Sequence, residues 1–313
     1  MTGLALHVML TTTCNYKAVR SSPVGRPLQH RSSFSPHHKR TASMPFFTSA
    51  VDGARLHYLD YIPATTPTPF RNANPATTSP ITLVFIHGWP MSSAQYTHLL
   101  LPLCETHRFR CIASDRRGFG KSEWNGHTTG GKPTDITYDT FAADTVALLE
   151  LLKLDSFVFV AASMGCGETL LAYNSMSSSL KASCKGFLWL GASLPYPVAT
   201  EENPDAPKKE VWDSILAGFR EDRVGFTKGA IGGVFGTTYN IGVEVKETLL
   251  ERFVNIVNEA DALAIERCVN IISEKDLSSD LKKLDGEKVV LRVVHGDSDF
   301  GKSGAFINDR CAC

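Results

Sequence analysis

The sequence predicts an α/β fold with a mostly parallel sheet, on three observations: short, continuously apolar runs of strand length, their regular alternation with helical periods, and Gly-containing turns where the runs end. The run Ile81-Thr82-Leu83-Val84-Phe85-Ile86 is too apolar for a strand wetted on one face. It belongs to a strand covered on both.

The elements follow in order. Phe46 to Ala50 and Arg55 to Tyr61, joined through Val51-Asp52-Gly53-Ala54, read as a β-hairpin with an Asp-Gly turn. The stretch from Pro63 to Pro80 is rich in Pro, Thr and Asn and reads as a surface loop. Arg110 to Ala113, Phe157 to Val160, Phe187 to Leu190 and Val289 to Val294 read as further strands, with helices over Tyr138 to Leu152 and Gly165 to Tyr173. Between Pro195 and about Leu284 the alternation lapses. Pro207 to Phe219 and Glu247 to Ser273 are helical in period and are separated by a Gly-rich bend at Gly229 to Gly236. A helical excursion between two strands reads as a cap. The expected organisation is an extension over residues 1–43, the first part of an α/β core over 44–195, a helical cap over 196–284 and the second part of the core over 285–313.

At 313 residues and 43% hydrophobic content the chain can bury a large core, and 32 basic against 32 acidic residues leave no global field. Nucleic acid and anionic lipid are therefore not expected partners; small neutral molecules suit this balance. No apolar run reaches the roughly 20 residues of a membrane span. Residues 1–43 carry Lys17, Arg20, Arg26, Arg31, Lys39 and Arg40, and the first carboxylate is Asp52. That composition fits a mitochondrial transit peptide or a disordered extension, with Met44 an alternative start; otherwise the expected location is cytoplasmic. Eight scattered cysteines lack zinc-ligand spacing and suit a reducing compartment.

Four segments carry the chemistry. Val160-Ala161-Ala162-Ser163-Met164-Gly165 lies where a strand turns into a helix, the context of a nucleophile elbow, with small residues two positions either side of Ser163. Ala161 stands where Gly is usual, and a serine in any tight turn could look the same. His87-Gly88-Trp89-Pro90 follows the Ile81 strand. An oxyanion needs two backbone N–H donors, one after the nucleophile and one from such a loop, which assigns Met164 and Trp89; His87 reads as a buried residue ordering the loop. Asp115-Arg116-Arg117-Gly118-Phe119-Gly120-Lys121-Ser122 lacks the spacing of a phosphate loop and reads as a structural turn. His295-Gly296-Asp297-Ser298-Asp299 ends the Val289 strand, where a carboxylate would point to the same sheet edge as Ser163 or form a solvated turn.

With Met44-Pro45-Phe46-Phe47 and Tyr138-Asp139-Thr140-Phe141-Ala142-Ala143-Asp144 added, residues 44 to about 300 resemble the non-haem haloperoxidase and aryl esterase branch of the α/β-hydrolase superfamily. The resemblance implies the α/β-hydrolase fold and a Ser-Asp-His triad with Ser163 as nucleophile and Asp299 as acid, Asp297 being the runner-up. It implies hydrolysis of small esters, with peracid formation from carboxylic acids and halide oxidation as a side activity, and neither haem, metal nor other cofactor. It also implies a histidine after one more helix and strand, whereas only 14 residues follow Asp299 and none is histidine. The chain is thus expected to be a C-terminally truncated member, either a hydrolase whose natural end is longer or a ligand-binding protein that keeps the pocket. His295 or His87 could replace the base only by reaching both Ser163 and the acid. Epoxide or haloalkane hydrolysis shares the His-Gly-Trp-Pro loop but needs a carboxylate nucleophile, which Ser163 is not. Trp89, Met164, Trp212, Phe219 and Phe226 suggest an apolar acyl or aryl pocket.

Overall fold

The computed structural model describes residues 45–64, 81–126, 135–201, 203–204, 206–237 and 245–296. The strands are β1 (Phe46–Thr48), β2 (Arg55–Tyr61), β3 (Thr82–Ile86), β4 (Arg110–Ser114), β5 (Phe157–Ala162), β6 (Cys184–Leu190) and β7 (Val290–Val294). The helices are α1 (Thr97–Glu105), α2 (Tyr138–Leu152), α3 (Met164–Ser175), α4 (Ser178–Ser183), α5 (Lys209–Val234), α6 (Glu247–Asn258), α7 (Ala262–Glu274) and α8 (Ser278–Lys282).

The strands form one seven-stranded sheet in the order β1-β2-β4-β3-β5-β6-β7. β1 and β2 run antiparallel to their neighbours, and β4 through β7 pair in parallel. This is the α/β-hydrolase arrangement. The hairpin forms as expected, with Gly53 at φ 79° in the turn, a backbone region that disfavours side chains. Alternate residues point to opposite faces, so Val84, Ile86, Phe157, Phe159 and Ala161 enter one core while Phe85, Val160 and Ala162 enter another. Two buried faces are the reason these strands are continuously apolar.

From β3 the chain passes to β4 on one side and later to β5 on the other. Such a reversal opens a crevice at the carboxyl ends of the two strands. The segments after Ile86 and after Ala162 both begin there.

Two expectations in the helical excursion are corrected. The Gly-rich stretch turns only at its end: α5 continues through Gly229, Gly232 and Gly233 to Val234, the chain turns at Gly236 with φ 68°, and the non-helical residue inside α5 is Asp222, at φ −149° and ψ 87°. Each helical Gly is unfavourable by about 1 kcal/mol relative to Ala, but buried Ile231 and Phe235, packed with Phe253 and Val257, hold the segment in place. The helix expected over Glu247 to Ser273 is two helices. Its break is set by Asp261, whose side chain caps α7 by accepting from the Leu263 N–H at 2.7 Å while its own N–H donates to the Gly118 carbonyl. Asp261→Ala is expected to lower stability by about 1 kcal/mol, read as a lower urea midpoint. Among the described residues, no helix is long and apolar enough to cross a membrane.

Candidate active site

β5 ends at Ala162 and α3 begins at Met164, so the whole reversal falls on Ser163, at φ 49° and ψ −118°. A non-glycine residue in such a region carries strain of order 1–3 kcal/mol and persists only where its surroundings fix it. Here the Ser163 N–H donates to the Leu190 carbonyl of β6 at 3.0 Å, and the Ser163 carbonyl accepts from the Cys166 N–H at 3.0 Å. A Cβ on Gly165 would lie 2.6 Å from the Ile86 carbonyl oxygen and 2.9 Å from that of His87. Only glycine lets α3 come this close to β3. Ala161, where glycine is usual, fits because its methyl packs fully buried in the larger core.

The loop after β3 touches the elbow, since a Cβ at Gly88 would stand 3.2 Å from that of Ser163. Met164 is the first residue of α3, so its N–H has no partner within the helix. The Trp89 N–H likewise has no hydrogen-bond partner among the described residues. The Trp89 ring is tied elsewhere, its Nε1–H donating to the Ile265 carbonyl of α7 at 3.0 Å.

His87 is buried with both ring nitrogens engaged. Nδ1–H donates to the Gly88 carbonyl at 2.8 Å, and Nε2 accepts from the Arg116 N–H at 2.9 Å. Burial, reinforced by the Arg116 guanidinium, holds its pKa down to about 3 from the ordinary 6.5. His87 is thus a neutral brace for the loop. The unfolded chain binds this proton more readily than the folded one, so stability is expected to be full above about pH 6.5 and to fall as pH drops towards about 3. His87→Asn should flatten that decline in urea midpoints taken across the acid range.

The Asp115 turn is structural, as its spacing suggests. Asp115 accepts from the Ser93 N–H at 2.8 Å, the Lys121 N–H at 3.1 Å and His57 Nδ1–H at 2.8 Å. Arg116 pairs with Glu168 of α3 at 2.6 Å and donates to the His87 carbonyl at 2.7 Å. Arg117, fully buried, bridges Asp52 and Asp144 at 2.7 and 2.5 Å. The turn thereby ties the hairpin, α2, α3 and the loop after β3 together.

Above Ser163 opens a cavity of about 230 Å³. Trp89, Trp212, Phe219 and Phe226 line it, so four of the five expected pocket residues converge. The Met164 side chain does not, because it points into the core at 0% exposure. The sequence reading missed Met91, Ser193, Ile215, Ile231, Val257 and Ile272, which come from two loops and three helices and share no common spacing. No histidine lines the cavity among the described residues. Asp297 and Asp299 lie outside the described residues. β7 nevertheless ends beside the elbow's neighbour, for the Gly191 N–H donates to the Val294 carbonyl at 2.8 Å. Cys166, near Ser163 in sequence, is no competing nucleophile; its thiol donates to the Ala161 carbonyl, and burial pushes its pKa up. Among the described residues no group of three His, Cys, Asp or Glu side chains is placed to hold a metal ion.

Residues 81–213 match the α/β-hydrolase-fold family. The non-haem haloperoxidase of Rhodococcus erythropolis is 30% identical over 258 residues, which cover 82% of each chain. The chain belongs to the non-haem haloperoxidase branch of the α/β-hydrolase family. This α/β-hydrolase is also 29% identical over 255 residues to the bifunctional esterase/perhydrolase of Acinetobacter calcoaceticus, covering 81% of this chain and 82% of that one. Among solved structures it is similar to the bromoperoxidase from Bacillus anthracis, at 26% identity and a TM-score of 0.63, over 82% of this chain and 83% of the other. In this α/β-hydrolase the turn after β5 and the loop after β3 meet at one sheet edge, and four helices are inserted between β6 and β7.

Proposed function

We propose that this α/β-hydrolase is a serine esterase for small apolar esters, with Ser163 as its nucleophile. The observation that carries the reading is the strained Ser163 turn opening into an apolar cavity beside two backbone N–H groups that have no other partner among the described residues. In the reaction, Ser163 Oγ attacks the ester carbonyl carbon while a base takes its proton. The N–H groups of Trp89 and Met164 donate to the oxyanion, the alcohol leaves with the proton, and water releases the acid from the acyl-serine. Asp299 is assigned to orient the base and to stabilise its protonated form. No histidine follows Asp299 in this sequence, and His87, with both ring nitrogens committed to backbone, does not supply the base. Hydrogen peroxide in place of water at the second step would release a peracid, the perhydrolase activity named for the Acinetobacter relative.

A second reading, a ligand-binding protein that retains the chamber, is favoured by the lack of a histidine among the described cavity-lining residues. Turnover of short-chain 4-nitrophenyl esters by the purified chain separates the two. The esterase reading expects saturable hydrolysis. Hydrolysis no faster than in a Ser163→Ala variant, with the esters still bound, would leave the binding protein.

A further inference from the structure

We infer that Ser193 is a specificity-determining residue, a hydrogen-bond donor in the cavity that selects substrates carrying a neutral oxygen acceptor on the group that fills the chamber. The inference rests on reading the cavity as the substrate chamber. Among the described lining residues no side chain is charged, and the donors can be accounted for one at a time. Trp89 Nε1–H donates to the Ile265 carbonyl at 3.0 Å and Trp212 Nε1–H to the Pro197 carbonyl at 3.2 Å. The Thr227 hydroxyl donates to the Arg223 carbonyl at 2.7 Å. Ser163 is assigned to the chemistry. That leaves the Ser193 hydroxyl, which lines the same cavity and has no hydrogen-bond partner among the described residues.

Its position follows from the sheet. Ser193 lies three residues beyond Leu190, whose carbonyl accepts from the Ser163 N–H, so both serines stand at the carboxyl ends of adjacent strands. A hydroxyl facing an apolar chamber loses hydration when the chamber fills, unless the ligand supplies an acceptor. A ligand with an oxygen there satisfies it, and the hydrocarbon analogue leaves it unpaired. The acceptor is neutral, a ketone, lactone or ether oxygen, because a carboxylate would enter the apolar chamber without a countercharge. Thus the site distinguishes oxygenated acyl or aryl groups from plain ones of the same shape.

The test measures binding to the full chain carrying Ser163→Ala, so that turnover plays no part. Trp89 and Trp212 report occupancy through quenching of their fluorescence. The probes are methyl cyclohexanecarboxylate and its 3-oxo and 4-oxo derivatives. Adding Ser193→Ala is expected to shift the ratio of oxo-ester to plain-ester Kd by about fivefold against at least one oxo isomer, the equivalent of one neutral hydrogen bond of about 1 kcal/mol. Affinity for the plain ester should stay within twofold, and Ser193→Thr, which keeps the hydroxyl, should preserve the original ratio. Ratios unchanged for both isomers overturn the inference, and so does an equal loss for all three esters. If the ratio shifts while the wild-type chain shows no esterase turnover, the inference stands and the esterase reading falls. If turnover is present and no ratio moves, the reverse holds.

Discussion

Replacing Ser163 with alanine is expected to remove ester turnover almost entirely while leaving the fold in place. Loss of a triad nucleophile lowers kcat by about 10⁶ in a serine protease, and what survives, roughly 10³ to 10⁴ above the uncatalysed rate, comes from the oxyanion donors and binding. The donors proposed here are the backbone N–H groups of Trp89 and Met164, which the substitution does not touch. Residual activity at that level, with unchanged affinity for a product-like ligand, is the expected outcome of steady-state kinetics. Undiminished activity would remove Ser163 from the mechanism.

The largest effect on stability is expected from Arg116→Met. Arg116 and Glu168 have side-chain exposures of 1% and 4%, and removing the guanidinium leaves the Glu168 carboxylate buried with the Thr145 hydroxyl at 2.7 Å but without a countercharge. Breaking such a pair from one side is destabilising by about 3–5 kcal/mol, whereas replacing both partners with apolar groups is often near neutral. The double variant Arg116→Met with Glu168→Leu should therefore recover much of the loss in urea denaturation. Because Arg116 also donates to the His87 carbonyl, the single variant should loosen the loop that presents the Trp89 N–H and lower kcat more than it raises KM.

The parts of this architecture that could be read from the sequence are those in which local chemistry and tertiary context agree. α2 runs over Tyr138–Leu152, as its period predicts, because Phe141, Leu148 and Leu149 are buried in the larger core and Lys153, in a left-handed conformation, ends it. The turn at Ser163 was legible because its neighbours must be small, and Gly165 against the carbonyls of Ile86 and His87 shows the reason. Where packing overrides propensity, the reading failed. α1 contains Pro102 and was not anticipated, yet buried Leu100 and Cys104 anchor it. α5 continues through Gly229, Gly232 and Gly233 because Ile231 packs in an apolar cluster beside Phe235. Ser193 was invisible for another reason: it follows a strand in an irregular segment, and its facing the cavity depends on where β6 ends relative to β5. Periodicity carries no information about that.

The central claim is that Ser163 is an activated nucleophile at the floor of the cavity. Reaction of the full chain with a fluorophosphonate probe, followed by peptide mass spectrometry, tests it most directly. The account predicts a single rapid adduct on the peptide containing Ser163, absent from Ser163→Ala and slowed by an apolar ester that fills the cavity. An adduct on a different serine, or none while that ester still binds, would contradict it.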